Sequence, residues 1–98
     1  RRAFADARAA LRRDGPAEAV RVYIAGVFSV SPAAITGADG RRLLADAGVE
    51  NADALAELVA IHEAEHYASG RFRPETPPDE SRVLDLLRRA DRSIRRQA

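Results

Sequence analysis

Residues 16–30 read PAEAVRVYIAGVFSV, and whether they form a helix or a strand decides the fold class. Val20, Ile24, Val27 and Phe28 share one face of a helix, whereas Val20, Val22, Ile24, Phe28 and Val30 alternate as a β-branched strand does. Three features select the helix. Pro16 suits a first helical turn, where its missing N–H costs nothing. Glu18 follows near the positive end of the helix dipole. No second strand candidate exists in the chain for residues 20–30 to pair with, and an unpaired strand has no independent stability.

Working outward, residues 1–14 place Phe4, Ala7 and Leu11 on one helical face in an alanine-rich background and stop at Gly15-Pro16. After residue 30, Thr36 stands as a helix cap with Asp39 at capping-box distance. That third helix carries Leu43 and Leu44 and closes at Gly48. A fourth helix opens at Asn51 and runs to Gly70. The proline-rich stretch GRFRPETPPD forms a connection in which Phe72 can pin the chain to the bundle. Asp79 then caps a last helix whose inward stripe is Val83, Leu84, Leu87, Ala90 and Ile94, supported by Asp85–Arg89 and Asp91–Arg95 pairs four residues apart. The expectation is an all-α fold, one small bundle of about five helices spanning residues 1–98.

Composition narrows the function classes. With 98 residues, 46% hydrophobic and 32% charged, the chain can bury one modest core. All 16 basic residues are arginine, and against 15 acidic residues they leave a net charge of +1, too little for a whole-molecule field that gathers nucleic acid. The absence of cysteine excludes disulfides and thiolate metal sites. No apolar run is long enough to span a bilayer. The chain contains no methionine, and reads as a domain of a longer protein.

One stretch carries catalytic chemistry. Residues 62–66, HEAEH, match the H-E-x-x-H pattern of zinc proteases, in which His62 and His66 would ligate the ion from one helix face and Glu63 would activate a bound water. Glu65 departs from that pattern by placing a charge between the histidines. A third ligand is needed, and Glu75, Glu80 and Asp85 offer themselves without a recognisable motif. At about 100° per residue, His62 and His66 project onto the stripe of Leu55, Leu58 and Val59, which predicts core-facing or half-buried imidazoles satisfied by a carbonyl or carboxylate. The site expectation is therefore no catalytic, cofactor or metal residue, with a zinc site on His62 and His66 and Glu63 as base the alternative.

The order of features in residues 31–70 resembles the C-terminal region of the BatD, or oxygen tolerance, proteins. It comprises the Ile35-Thr36 turn, a short helix with Leu43-Leu44, the Gly48-Val49 break, and a long helix ending in a pattern close to C-E-x-A-R-Y-A, here residues 62–68. Glu63, Tyr67 and Ala68 agree with it; His62, Glu65 and His66 depart from it. The resemblance implies a non-catalytic domain without cofactor, on the cytoplasmic face of the bacterial inner membrane after a transmembrane helix outside these residues. The implied partners are von Willebrand factor A proteins and a MoxR-type AAA+ ATPase. Arg1, Arg2, Arg8, Arg12 and Arg13 against Asp6 and Asp14 make the N-terminal segment basic, as a cytoplasmic flank of a span is.

The last segment, LLRRADRSIRRQA, could touch phosphates, but its interleaved aspartate and apolar stripe predict an ordinary amphipathic helix. It has neither a clustered basic face nor an aromatic stacking platform, and nucleic-acid binding is not expected.

Overall fold

The computed structural model describes residues 2–67 and 79–97, with side chains described for all of these except 64–67 and 97. It contains α1 (Arg2–Asp14), α2 (Pro16–Phe28), a 3₁₀ turn (Pro32–Ala34), α3 (Gly37–Asp46), α4 (Ala52–Tyr67) and α5 (Glu80–Gln97). No strand occurs among the described residues, so the ambiguous stretch is a helix and the fold is all-α. None of these helices is long and apolar enough to cross a membrane.

The chain reverses between α1 and α2 on one residue. Gly15 takes φ 98°, a left-handed conformation that side chains disfavour, and Pro16 starts the next helix immediately. The two helices form a tight hairpin, closed to its far end, where the backbone of Gly26 lies so near Ala3 that an added Cβ would sit 2.8 Å from the Ala3 Cβ.

α2 is central: it touches each of the other four helices. Ala17, Ala19, Val20, Tyr23 and Ile24 are buried, while Val27 and Phe28 are partly covered. Its buried surface is therefore wider than one apolar face, which is why its hydrophobic residues also allow a strand's alternation. α2 ends at Phe28, two residues before Val30, because Ser29 turns left-handed at φ 57° and its amide closes onto the Ala25 carbonyl.

The caps follow the local sequence. Thr36 accepts from the Asp39 amide at 3.1 Å to start α3, and Asp79 accepts from the Arg82 amide at 2.9 Å to start α5. Gly48, at φ 81°, carries the chain out of α3. Asn51 precedes α4 but does not cap it with its side chain. Instead its Nδ2 donates to the Leu86 carbonyl of α5 at 2.9 Å, pinning the start of one helix to the middle of another.

The core joins Val20, Tyr23 and Ile24 of α2 to Leu44, Val49, Leu55 and Val59 on one side and to Val83, Leu87 and Ala90 of α5 on the other, with Ala7 and Leu11 of α1 completing it. Each fully buried Leu, Ile or Val contributes about 1.5–3 kcal/mol relative to exposure. On α5 the expected stripe is buried at Val83, Leu87 and Ala90, with Leu84 and Ile94 at its margins and Leu86 and Ser93 also covered. Both expected ion pairs form, Arg89–Asp85 at 3.1 Å and Arg95–Asp91 at 2.8 Å.

Candidate functional site

The HEAEH glutamate is built into a joint between two helices. Gly37 opens α3 against α4, and an added Cβ would meet the Ala60 Cβ at 3.1 Å, the Glu63 Oε1 at 3.2 Å and the Ala56 carbonyl at 3.3 Å. Without a side chain, the first turn of α3 settles directly onto α4. The Gly37 amide then donates to Glu63 Oε1 at 2.8 Å, which satisfies one of the amides a helix start leaves unpaired and sets a negative charge at its positive end. Thr36 and Glu63 thus divide the capping of α3, one from within the segment and one from α4.

His62 does not face the core. Leu55 and Val59 are fully buried and Leu58 is partly covered, but His62 is exposed. The expectation of a core-facing or half-buried His62 is corrected on a physical ground: at about 100° per residue it lies to the side of the face that Ala52, Ala56 and Val59 bury, and Glu63, one residue further along, is the side chain turned to α3. Past Val59, no described side chain of α4 is buried. The side chains of Glu65 and His66 lie outside the described residues, as do Phe72 and Glu75. Of the remaining third-ligand candidates, Glu80 is exposed at the start of α5 and Asp85 is paired with Arg89. Among the described residues, no three His, Asp or Glu side chains converge in a way that could hold a metal ion.

A different feature stands at the other end of α4. A groove of about 520 Å³ lies between the α3–α4 turn, which supplies Glu50 and Asn51, and α5, which supplies Arg89, Arg92, Ser93, Arg95 and Arg96. Arg89 and Arg95 are held by Asp85 and Asp91. Arg92 and Arg96 have no acidic partner among the described residues. A second hollow of about 310 Å³ adjoins it, sharing Arg92 and Arg95 and bounded by Phe4 and Arg88. The Arg88 guanidinium lies 5.9 Å from the centre of the Phe4 ring, a cation–π contact that occupies the aromatic face.

The arginine groove was only half visible beforehand. Arg89, Arg92 and Arg96 recur at helical spacing, so the arginine wall could be read from the chain, but the opposing wall of Glu50 and Asn51 is about forty residues away and comes from packing alone. Behind the groove, Tyr23 is fully buried, and its hydroxyl donates to Asp91 at 3.0 Å. Burial first, and then the nearby Asp91 carboxylate, hold the phenol well above its ordinary ionisation range.

Comparison with known protein families, with curated proteins and with solved structures gives no match to this chain.

Proposed function

We propose that this chain is a non-catalytic helical module for protein–protein interaction, part of a membrane-anchored protein similar to the BatD family and placed on the cytoplasmic face of the bacterial inner membrane. Its partners on this reading are von Willebrand factor A proteins and a MoxR-type AAA+ ATPase, with no nucleic acid and no cofactor. The observation that carries it is the 2.8 Å bond from the Gly37 amide to Glu63, which gives the first glutamate of HEAEH a structural task. One oxygen of this carboxylate is committed to a helix start, a structural role that needs no metal.

The same bond supports the family reading. Those features of the resemblance that lie among the described residues pack together: Ile35 is buried beside the Thr36 cap, Leu44 and Val49 are buried in the core, Gly48 makes the break, and Glu63 bonds to the start of α3 from α4. An order of features in sequence thus corresponds to one α3–α4 substructure. A surface with an arginine groove and no deep apolar cavity among its described hollows suits recognition of a protein better than enclosure of a small substrate.

The test uses purified chain, a von Willebrand factor A protein and a MoxR-type ATPase from the same genome. Titration calorimetry is expected to detect binding to at least one of them, unchanged by zinc or chelator. Zinc retained in stoichiometric amount on elemental analysis, with peptidase activity lost in His62→Ala, His66→Ala and Glu63→Gln, would establish the hydrolase alternative instead. Absence of binding to both proteins would remove the partner assignment.

A further inference from the structure

We propose that the groove between the α3–α4 turn and the last turns of α5 docks a short acidic segment of the partner protein, with carboxylates at alternate positions of an extended stretch. The inference rests on the interaction-module reading and names the chemistry of what such a module would recognise. Three observations carry it.

Arg92 and Arg96 are one helical turn apart on α5, line the groove, and have no acidic partner among the described residues. Four residues of helix rise about 6 Å. Alternate side chains of an extended peptide lie on one side at about 6.6 Å separation, so an acidic-x-acidic stretch sets one carboxylate against each guanidinium. Charge-assisted, two-pronged Arg–carboxylate bonds are the strong polar contacts available to such a surface.

Ser93 lies between them in sequence, and it is only 7% exposed. It lines the groove, and its hydroxyl makes no side-chain hydrogen bond among the described residues. A covered hydroxyl opening into a groove offers a donor and an acceptor to a ligand's backbone or carboxylate.

The wall opposite is fixed and carries a negative charge. Asn51 is tied to the Leu86 carbonyl, and Glu50 beside it is exposed on the groove's rim. Glu50 opposes a continuous phosphate backbone or a flat anionic lipid surface, yet tolerates a peptide that brings separated carboxylates together with backbone N–H donors. No aromatic side chain lines the groove for base stacking, and the net charge of +1 provides no long-range attraction for a polyanion. An acidic protein segment is therefore favoured over nucleic acid or membrane.

The experiment measures fluorescence anisotropy of a labelled peptide with glutamates at alternate positions in a glycine–serine background, titrated with the whole chain at low and high salt. Expected are saturable binding that weakens with salt, no binding of the same peptide with glutamine for glutamate, and at least about tenfold loss in R92Q/R96Q. Circular dichroism is expected to show this variant folded, and R8Q/R12Q on α1 is expected to bind as the unaltered chain does. The proposal is overturned by equal affinity for the glutamine peptide, by unaltered binding in R92Q/R96Q, or by tighter binding to a single-stranded oligonucleotide or to phosphatidylglycerol vesicles. Sedimentation showing that a second copy of the chain fills the groove also overturns it. If the von Willebrand factor A protein or the ATPase binds R92Q/R96Q as well as the unaltered chain, the groove assignment fails while the interaction-module reading stands. Failure of both proteins to bind even the unaltered chain removes the partner assignment separately.

Discussion

Tyr23 on α2 donates its hydroxyl to Asp91 on α5 at 3.0 Å, across a sequence separation of 68 residues. Asp91 in turn holds Arg95 at 2.8 Å, so a fully buried phenol, a mostly covered carboxylate and a rim arginine form one chain of contacts from the core to the groove. Tyr23→Phe keeps the ring and removes the donor. The expected cost is about 1 kcal/mol, with Asp91 still paired, and it is read from urea denaturation.

The same pair sets an alkaline limit. Burial and the Asp91 carboxylate raise the Tyr23 ionisation above its ordinary value near pH 10. A group whose folded pKa is raised contributes stability that is fully present below the unfolded pKa and is lost as pH rises toward the folded one. Stability therefore falls above about pH 10, and Tyr23→Phe lessens that fall. A denaturation midpoint that declines equally in both proteins between neutral and alkaline pH contradicts the assignment.

Removing the cap from α4 has a graded effect. Glu63→Ala leaves the Gly37 amide without its side-chain acceptor and is expected to destabilise the fold by about 1 kcal/mol. Glu63→Gln keeps an acceptor oxygen without the charge, so its loss is smaller and independent of ionic strength. Thermal melts at two salt concentrations distinguish the two contributions.

The two glycines that face inward on α3 respond differently to alanine. At Gly37 the added Cβ meets Ala60, Glu63 and the Ala56 carbonyl within 3.3 Å, and a backbone carbonyl cannot swing aside. Gly37→Ala is expected to cost about 1–3 kcal/mol through overpacking. At Gly40 the tight neighbour is the terminal Cδ1 of Ile24 at 3.1 Å, which can rotate away, and the helix-propensity gain of about 1 kcal/mol opposes the crowding. Gly40→Ala is near neutral by comparison, as denaturation midpoints will show.

Asn51 tests the pin between α4 and α5. Asn51→Ala loses the bond to the Leu86 carbonyl, for about 1 kcal/mol. Asn51→Asp is more damaging near neutral pH, because an ionised carboxylate then faces a carbonyl oxygen with no donor between them. Hydrogen exchange at the first turn of α4 is expected to rise in both variants.

Ser29 holds a left-handed φ of 57° without being glycine. Ser29→Gly removes the steric penalty at this helix end and is expected to stabilise the chain by a few tenths to about 1 kcal/mol. A lowered melting temperature would show that the serine side chain has a compensating partner.

Much of the fold was legible residue by residue. Gly15-Pro16 marks the reversal, Thr36 and Asp79 announce helix starts, and Gly48 announces an end, because turn and cap chemistry depends on neighbours only a few positions away. The same locality does not reach what other helices supply: the Asn51 side chain bonds to α5, and the Tyr23 ring is fully buried.

The candidate site was less legible. Helical projection placed His62 on the stripe of Leu55, Leu58 and Val59, but packing decides how much of that face the other helices cover, and His62 emerges exposed while Glu63 meets α3. Glu63 had a catalytic spelling in sequence and a structural partner in space, since nothing in residues 62–66 announces the approach of Gly37.

Periodicity, caps and breaks along the chain by themselves determined the five helices of the described residues and the absence of a strand among them, since each depends on contacts within a turn or two of backbone. Which of His62 and Glu63 meets α3, and which arginines border a groove, were decided only when α3 and α5 came to rest against α4. Burial and pairing between elements depend on the distance between chain segments, and one-dimensional spacing does not contain that distance.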